Sequence, residues 1–504
     1  MNFKSDYAKK IDIMKESFSL IVTPASITSD SAVIFWGKAH KTALYDIYLN
    51  GEKYASTDKT VYTLTTLSPD KNYTVKVKFK DLETNEINFR TKKEPKIYDV
   101  TSFGAVGDGK TDNTQAIQDA IDNCENGGVV YVGKGTFVTG AIYLKSDMTL
   151  KIDGKLFGTD DLTKYPIFQY RFEGREQMCY SSLINTSKTN ERLKNIVLCG
   201  NGEINANANA VFKKEMEEKK AIRSRSVCLR NIDNLLIKDI KIQSSPAWCL
   251  HFIYCDGVTI DNVKVYTRKD ENGNKYKIFN GDGIDPDSSK NVYIVNSTIG
   301  SQDDCIAIKS GRDEEGRRVG IPSENIYIIS CNFESGFGVA MGSEVSGGVK
   351  NVLVRDCKFT DTYSVGSVKS PRGRGNVIEN IRYSNCTHIN SSYDYTDCEW
   401  FRGAIYIDNF YSHIEFDPSE KREIDETTPS IRNICFEDIS VKTVAGNAIY
   451  LAGLMESPLK NIYLKNIKAE GKYGLKAYNI QGFEFENLEV ISNEDNNYYM
   501  NNVK

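Results

Sequence analysis

One short hydrophobic phrase recurs along the chain from about residue 195 towards the C-terminus. A full copy has an Asn or Gly, then Ile, Val or Leu, then any residue, then a second apolar residue. Such copies begin at Asn195, Asn234, Gly257, Asn291, Asn325 and Asn351, and weaker ones begin at Asn380, Asn433, Asn461 and Gly482. Successive copies start 39, 23, 34, 34, 26, 29, 53, 28 and 21 residues apart. Units of about 20–30 residues with loop insertions are typical of a solenoid, and such short strands with Asn at their turns predict a parallel β-helix.

A different pattern precedes the repeats. Residues 18–92 carry short alternating stretches such as Ala32–Trp36, Tyr45–Leu49 and residues 73–79, and Asn50-Gly51 is a hairpin turn signal. Several strands within about 75 residues predict a small β-sandwich. The positions of Trp36 and of Leu67 ahead of Tyr73 resemble a fibronectin type III module. We expect this module to act as a spacer or packing unit rather than to bind sugar, with a linker at residues 92–96 and the solenoid over 97–504.

Two segments of the solenoid region predict helices. Residues 103–112 are rich in glycine and precede a helical stripe over 113–124. This stretch lacks the Gly-Lys-Ser/Thr ending of a phosphate-binding loop, so it predicts a turn leading into a capping helix. Residues 212–221 are densely charged and predict a helical insertion on the surface.

Composition narrows the class of protein. The 504 residues carry 64 basic and 68 acidic side chains, with 40% hydrophobic residues, which describes an ordinary globular chain. This balance argues against a nucleic-acid partner, and no apolar run reaches the roughly 18 residues of a membrane helix. The 12 cysteines form no pattern of a metal site, so we expect buried thiols in the core. The first residues are polar and show no secretion signal, which predicts a cytoplasmic location; the oligomeric state is unknown.

Acidic residues cluster in two successive repeats. Asp282 stands between two glycines, which would leave room for a ligand, and Asp303 follows 21 residues later beside Asp304. That spacing predicts that Asp282 and Asp303 stack on one face, where crowding should raise the pKa of one carboxyl. A protonated carboxyl beside ionised ones suits glycoside hydrolysis. Asp285 and Asp287 flank a proline and are expected to form a turn.

These motifs together resemble the polygalacturonases of glycoside hydrolase family 28. The residues that carry the resemblance are Asn280, Asp282, Gly283, Asp303, Asp304, Gly336, Gly338 and Lys369. Residues 245–248, 304–311, 341–344 and 372–375 support it, and it covers roughly residues 97–490. The resemblance implies an all-β fold, a right-handed parallel β-helix, and an inverting hydrolase that needs neither cofactor nor metal.

The resemblance also implies roles for these residues. Asp303 would be the general acid, and Asp282 and Asp304 would position and activate the water. Asn280 and Lys369 would contact the substrate, Lys369 through a sugar carboxylate on the leaving-group side. Arg372 and Arg374 are the further basic residues expected to bind an anionic substrate.

Two positions depart from the family pattern. The histidine of the family between the two glycines is Phe337 here, and the arginine two places before Lys369 is Ser367. A serine cannot replace the bidentate contact of a guanidinium with a carboxylate. A neutral sugar such as rhamnose on the leaving-group side would need no such contact. Among the histidines, His251 lies nearest to the motifs.

Several functions therefore stay open. The first is an inverting hydrolase of galacturonic-acid-containing pectic oligosaccharides. We expect exo action, because the N-terminal module and the insertion at residues 165–180 could close one end of a groove. A rhamnogalacturonan hydrolase is the closest alternative. A calcium-dependent pectate lyase would need a carboxylate cluster around the metal and an arginine base. The last alternative is a solenoid that binds carbohydrate without cleaving it.

Overall fold

The computed structural model describes residues 13–186, 190–270, 272–391, 401–411 and 416–504. Two units follow each other along the chain: an N-terminal pair of antiparallel sheets and one long, mainly parallel sheet. Strands of the N-terminal unit run from Leu20 to Arg90, and the long sheet begins at Ile97. The predicted all-β fold is therefore confirmed.

The N-terminal unit is a sandwich of two antiparallel sheets. The first sheet contains Leu20–Val22, Ala32–Trp36 and Val61–Leu64; the second contains Tyr45–Leu49, Glu52–Thr57, Asn72–Phe79, Leu82–Glu83 and Ile87–Arg90. Alternate residues of both sheets point into a shared core, where the Trp36 and Tyr45 rings meet with centroids 5.5 Å apart. The likeness to a fibronectin type III module stays a prediction.

The rest of the chain coils so that each turn adds one strand to each of three parallel stacks. The first stack contains Ile97–Asp99, Gly128–Val132, Met148–Ile152, Leu193–Cys199, Ile232–Lys238, Asp256–Asp261, Lys290–Val295, Ser323–Ile329 and Val349–Arg355. The second contains Asp108–Asp112, Thr136–Thr139, Lys155–Gly158, Glu203–Asn205, Lys241–Gln243, Lys264–Tyr266, Thr298–Gly300, Asn332–Ser335 and Lys358–Thr360. This is the parallel β-helix that the repeats predict.

The third stack carries the candidate chemistry. It contains Ile142–Leu144, Ile184–Thr186, Val227–Arg230, Leu250–Ile253, Ile284–Asp287, Ile306–Ile308, Val339–Gly342, Gly366–Lys369, Gly403–Asp408, Asn447–Ala452 and Tyr498–Val503. In the C-terminal turns, long strands bend from the first stack into the second: Val377–Asn390, Ser430–Thr443 and Leu459–Gly471. The last of the long strands, Tyr473–Ser492, pairs with Asn447–Ala452 of the third stack and with Leu459–Gly471, which spans the first and second stacks. It therefore belongs to all three stacks.

The recurring Asn or Gly of the sequence repeat marks one corner of each turn. Every one of these residues has a positive φ, a backbone conformation that Asn and Gly adopt most readily. The Asn side chains also bond along the stack, as when the amide of Asn325 donates to Asn291 at 3.1 Å and that of Asn351 donates to Asn325 at 3.0 Å. The repeat therefore records a local backbone requirement rather than only a hydrophobic pattern.

Apolar residues of all three stacks fill a continuous core. Ten of the eleven cysteines within the described residues are buried, and all eleven are free thiols, as expected. Burial raises the pKa of several of them, including Cys305 to about 12. The twelfth cysteine, Cys398, lies outside the described residues.

Helices occur at both predicted places, and one further helix was not predicted. A helix that we label α1, Thr114–Asn123, follows a 3₁₀ turn at Val100–Phe103 and buries Ile117 and Ile121 against the core. A second helix, α2, spans Ala208–Glu218, and a third, α3, spans Asp313–Val319. None of the helices in the described part of the chain is long and apolar enough to cross a membrane.

Apolar contacts join the sandwich to the side of the solenoid. Phe35 packs against Tyr293 and Tyr327, with ring centroids 5.5 Å and 5.6 Å away. The hydroxyl of Thr63 donates to the buried Asp261 carboxylate at 2.7 Å. These contacts lie on the first stack, so the sandwich does not cover the third stack.

Candidate active site

Successive strands of the third stack bring the predicted aspartates together. Ile284 pairs with Ile306, a register of 22 residues, and Gly283 N donates to Asp304 O at 2.9 Å. The expectation that residues 21 apart stack on each other is therefore wrong by one residue, and Asp304 rather than Asp303 lies level with Asp282. Asp303 is still adjacent, because its backbone N donates to Gly281 O at 3.2 Å.

The glycines on both sides of Asp282 serve packing rather than ligand access. A Cβ on Gly283 would lie 2.5 Å from Cys305 O, and one on Gly281 would lie 2.9 Å from the Cβ of Gln302. Both positions are therefore filled by the next turn of the solenoid. The expectation that these glycines leave room for a ligand is wrong.

Asp303 is the half-buried member of the cluster, and its carboxyl is the best proton donor. Burial, together with the neighbouring carboxyls of Asp282 and Asp304, raises the pKa of Asp303 to about 8. Its Oδ1 accepts a hydrogen bond from Asp304 N at 2.9 Å, which fixes the orientation of the carboxyl. A carboxylic acid with this pKa stays protonated at neutral pH and can donate its proton.

Asp282 is buried and lies beside a second carboxyl, that of Asp285. Burial raises the pKa of Asp282 to about 6, with a further rise from Asp304 and an opposing effect of Lys309. Burial also raises the pKa of Asp285 far above its usual value. Asp285 and Asp287 were expected to form a turn, and that expectation is wrong. Both lie in the strand Ile284–Asp287 with no exposed surface, because a neighbouring strand pairs on each side.

Lys309 is a buried cation that the sequence analysis did not single out. Its ammonium lies 3.4 Å from Asp282, 3.7 Å from Asp285 and 3.0 Å from Glu344. The ring of Trp248 covers it at 4.3 Å from the ring centroid. The ion pair with Lys309 overcomes burial and lowers the pKa of Glu344 to about 2. The signal was present in the sequence, since Lys309 follows the strand after Asp303-Asp304.

Lys369 reaches the cluster from two turns further along. Its ammonium bonds to Asp304 Oδ2 at 2.6 Å and lies 5.1 Å from the ring centroid of Tyr411. Burial raises the pKa of Tyr411 to about 12; the nearby Lys369 opposes this shift and Asp303 adds to it. Tyr411 is a further member of the site that sequence reasoning missed. No short motif surrounds it, and 42 residues separate it from Lys369.

The two departures from the family pattern are both buried. Phe337 stacks on Tyr363 with ring centroids 4.5 Å apart, inside an apolar cluster that also contains Phe401. Ser367 has no exposed surface and pairs with Ala340 and Tyr406 on the neighbouring strands. At these two positions the described structure therefore has an aromatic stack and a buried hydroxyl.

The remaining predicted binding residues contact other parts of the chain. Arg372 forms ion pairs with Glu456 at 2.8 Å and Glu420 at 3.0 Å. Arg374 donates to Ser343 O at 2.6 Å and pairs with Asp313. The structure thus ties both arginines to the loops that border the cluster.

Asn280 directly follows Phe279, which lines a cavity of about 550 Å³. Its Oδ1 accepts from Arg223 Nη2 at 2.6 Å, and the Arg223 guanidinium stacks 4.0 Å from the ring centroid of the half-exposed Phe279. The same cavity is lined by Phe172 and by Lys219, which follows α2. It is therefore bounded by an insertion on one side and by α2 on the other.

The insertion is a hairpin, Ile167–Phe172 paired with Arg175–Tyr180, that packs against the third stack. Arg171 donates from Nη1 to Asp287 at 2.8 Å, and both side chains are completely buried. Phe172 stacks on Trp248 with ring centroids 4.6 Å apart. His251 lies at 3.3 Å from Asp287, and burial lowers its pKa to about 4, so it is neutral. The hairpin is thus fixed directly behind the aspartate cluster.

This arrangement can perform acid–base chemistry on a bond placed over the aspartates. It offers one carboxyl that is protonated at neutral pH and two further carboxyls paired with lysines. Within the described residues, no group of three or more His, Cys, Asp or Glu side chains is arranged to hold a metal ion.

Comparison with known proteins adds to this geometry. The family model described as glycosyl hydrolases family 28 matches residues 125–489. A probable polygalacturonase of Vitis vinifera is 28% identical over 386 residues, which cover 73% of this chain and 73% of that protein. An exo-poly-alpha-D-galacturonosidase of Dickeya chrysanthemi is 28% identical over 397 residues, 69% of this chain and 62% of that longer protein.

Solved structures share the fold. A hyperthermoactive exopolygalacturonase from Thermotoga maritima superposes with a TM-score of 0.63 at 25% identity, over 79% of this chain and 94% of that one. A family 28 exopolygalacturonase of Yersinia enterocolitica gives a TM-score of 0.69 at 19% identity, over 96% of this chain and 98% of that one. The second likeness is one of fold, and it extends over the sandwich as well as the solenoid.

Proposed function

The chain belongs to family 28 of the glycosyl hydrolases, and on this basis we propose that it is an exo-acting hydrolase of the polygalacturonase type that cleaves galacturonic-acid-containing pectic oligosaccharides with inversion. It is a glycoside hydrolase by family membership. Relatives named exo-poly-alpha-D-galacturonosidase and exopolygalacturonase support an action at the chain end.

One observation carries the proposed chemistry: the pKa of Asp303 is raised to about 8 while its two carboxyl neighbours are paired with lysines. In the proposed reaction, Asp303 gives its proton to the glycosidic oxygen as the bond from that oxygen to the anomeric carbon breaks. A water held by Asp282 and Asp304 attacks the anomeric carbon from the opposite face and gives one proton to these carboxylates. The sugar products gain one water in total, and the anomeric configuration inverts.

The proposed substrate path runs from the cavity beside Asn280 to Lys369. The family resemblance assigns Lys369 to the leaving-group side. We assign the cavity of about 550 Å³ to the opposite, glycone side, because its lining residues Arg223 and Phe279 precede the aspartates along the solenoid and Lys369 follows them. The hairpin and α2 border that cavity, and a site bordered in this way suits a chain end better than the middle of a polymer. The charged residues of the cavity lining are three basic and two acidic ones: Lys219, Lys220 and Arg223 against Glu173 and Glu215. This excess of basic groups supports an anionic sugar there.

A second candidate differs only on the leaving-group side. Ser367 stands where the family has an arginine, and Arg372 and Arg374 are tied to carboxylates of this chain. Lys369 is then the cation that remains for a sugar carboxylate, and it already bonds to Asp304. These contacts favour a neutral sugar on the leaving-group side, which would make rhamnogalacturonan oligosaccharides substrates.

Product analysis on matched oligomers tests both candidates. Galacturonan and rhamnogalacturonan oligomers of equal length are digested, products are separated, and the anomeric form of the first product is read by proton NMR. We expect release from one chain end with inversion. Asp303→Asn should lower turnover at least about 1,000-fold with little change in binding, whereas Asp58→Asn, at an exposed position of the sandwich, should have no effect. An unsaturated product, or retained turnover in Asp303→Asn, contradicts the proposal.

A further inference from the structure

Asp285 is a buried carboxyl group for which the proposed reaction has no use. It lies in the strand Ile284–Asp287 and has no exposed surface. In the described part of the chain, neither of its oxygens accepts a hydrogen bond from an N–H or O–H group. The closest cation, Lys309, is 3.7 Å away and lies nearer to Asp282 and Glu344. An ionised carboxylate without donors is costly to bury, so this group needs another explanation.

The adjacent carboxyl of Asp282 provides it. Both carboxyls approach the ammonium of Lys309, Asp282 at 3.4 Å and Asp285 at 3.7 Å, so the two lie side by side. Two neighbouring carboxyls can share a hydrogen bond only when one of them carries a proton. The environment decides which one. Asp282 has the shorter contact with Lys309, at 3.4 Å, and keeps a small exposed fraction of 3%. Asp285 has the longer contact and no exposure, so the proton belongs on Asp285.

The charged groups that face Asp285 are consistent with this assignment. On its own turn it faces Asp282, and on the following turn it faces Asp304 and Lys309. On the preceding turn it pairs with His251, whose Nδ1 lies 2.8 Å from the buried guanidinium of Arg225. The thiol of Cys249 also lies near. Arg225 and Lys309 are the cations in this set, and neither is hydrogen-bonded to Asp285.

We propose that Asp285 is a positioning residue that keeps a proton and donates it in a hydrogen bond to Asp282, so that Asp282 is held as an ionised carboxylate facing the attacking water. This rests on the proposed function of Asp282. The bond fixes one oxygen of Asp282, and Lys309 pairs with the carboxylate as well. No proton is consumed, because Asp285 keeps it through the whole cycle.

The direction in which the acid limb of the kcat/KM profile moves when Asp285 is replaced distinguishes a protonated Asp285 from an ionised one. A proton donor stabilises the ionised form of Asp282, so its removal should raise the pKa of Asp282 and move the acid limb of the kcat/KM profile to higher pH. An ionised Asp285 would repel the charge on Asp282, so its removal should move the same limb to lower pH. Asn keeps a donor of the same size, whereas Ala does not.

The test compares Asp285→Asn with Asp285→Ala on the oligomer that the wild type cleaves. We expect Asp285→Asn to retain turnover to within about threefold, with the acid limb shifted by less than about half a pH unit. Asp285→Ala should lose about 10- to 100-fold in kcat, as expected for a lost hydrogen bond to a charged group. Its acid limb should move up by about one pH unit. A limb that moves down in either variant, or an Asp285→Asn variant as inactive as Asp282→Asn, overturns the proposal.

A second readout does not depend on turnover. Infrared difference spectra of wild type minus Asp285→Asn at pH 7, with ¹³C-labelled aspartate, should contain the carbonyl stretch of a protonated carboxylic acid. Absence of that band overturns the proposal even if the enzyme is active. If the wild type cleaves no oligomer, the proposed function fails, while the infrared band still decides whether Asp285 carries the proton.

Discussion

The buried ion pair between Arg171 and Asp287 makes a quantitative prediction about the hairpin behind the site. Arg171→Met keeps the length of the side chain and removes its charge. Asp287 then loses its contact at 2.8 Å and keeps only the neutral His251 at 3.3 Å and, from its neighbour, the hydroxyl of Ser288. A buried carboxylate is left without its cation.

The size of the effect follows from this burial. Removing one partner of a fully buried pair costs about 3–5 kcal/mol. Two other nitrogens of Arg171, Nε and Nη2, are buried without a hydrogen-bond partner in the described structure, and Met removes the cost of burying them. We therefore expect about 3 kcal/mol of destabilisation. Unfolding entropy of about 2.1 cal/mol/K per residue gives about 1 kcal/mol/K for 504 residues, so the melting temperature should fall by about 3 °C.

A matched control lies on the same hairpin. Arg175 pairs with Asp313 at the same distance of 2.8 Å, but their side chains are 51% and 31% exposed. Exposed pairs contribute about 0–1 kcal/mol, so Arg175→Met should lower the melting temperature by less than about 1 °C. Differential scanning calorimetry at one scan rate measures both variants. Limited proteolysis within the hairpin should be faster only for Arg171→Met.

Equal shifts for the two arginine variants would refute this reasoning. That result would mean that burial of the Arg171–Asp287 pair adds nothing beyond an ordinary surface contact. A large effect of Arg175→Met alone would place the anchor of the hairpin at its tip rather than at the buried pair.

Two more predictions concern the aspartate cluster. The pH dependence of kcat/KM should be bell-shaped. The value of kcat/KM should fall as the pH drops through about 6, where Asp282 takes up a proton, and as the pH rises through about 8, where Asp303 releases one. Activity at pH 5 or pH 9 should be about one tenth of that at pH 7, and a flat profile over this range would contradict the assignment. Lys369→Met should lower kcat by at least about 100-fold and move the alkaline limb upward, since Lys369 lowers the pKa of Asp303. Steady-state kinetics that show only a higher KM would limit Lys369 to substrate binding.

Much of the fold could be predicted because it depends on the backbone conformations of individual residues, which the residue types indicate. The recurring Asn and Gly residues are the ones whose backbone takes a left-handed conformation at a corner, so each copy marks one turn of the solenoid. Asp282 and the pair Asp303-Asp304 could be found because they stand just before a strand in two consecutive repeats. These features depend on residues close together in the chain.

The parts that could not be predicted depend on how neighbouring turns align. The register of 22 residues, rather than 21, is set by Ile284 and Ile306, and it changes which aspartate lies level with Asp282. The buried position of Asp285 depends on strands that flank it from other turns. The ion pairs of Arg372 could not be predicted either, because its partners Glu420 and Glu456 lie 48 and 84 residues away in the chain.

The hydrogen-bonded row of Asn side chains at the corners keeps successive turns aligned even where the turns differ in length. Asn380 and Asn433 are 53 positions apart and Asn325 and Asn351 only 26, and yet the side-chain hydrogen bonds are 3.1 Å and 3.0 Å long. The alignment at each corner therefore does not depend on the number of residues between corners. Loops over the catalytic face can lengthen, shorten or be exchanged while the aspartates keep their places, which makes this scaffold suited to loop grafting for altered sugar specificity.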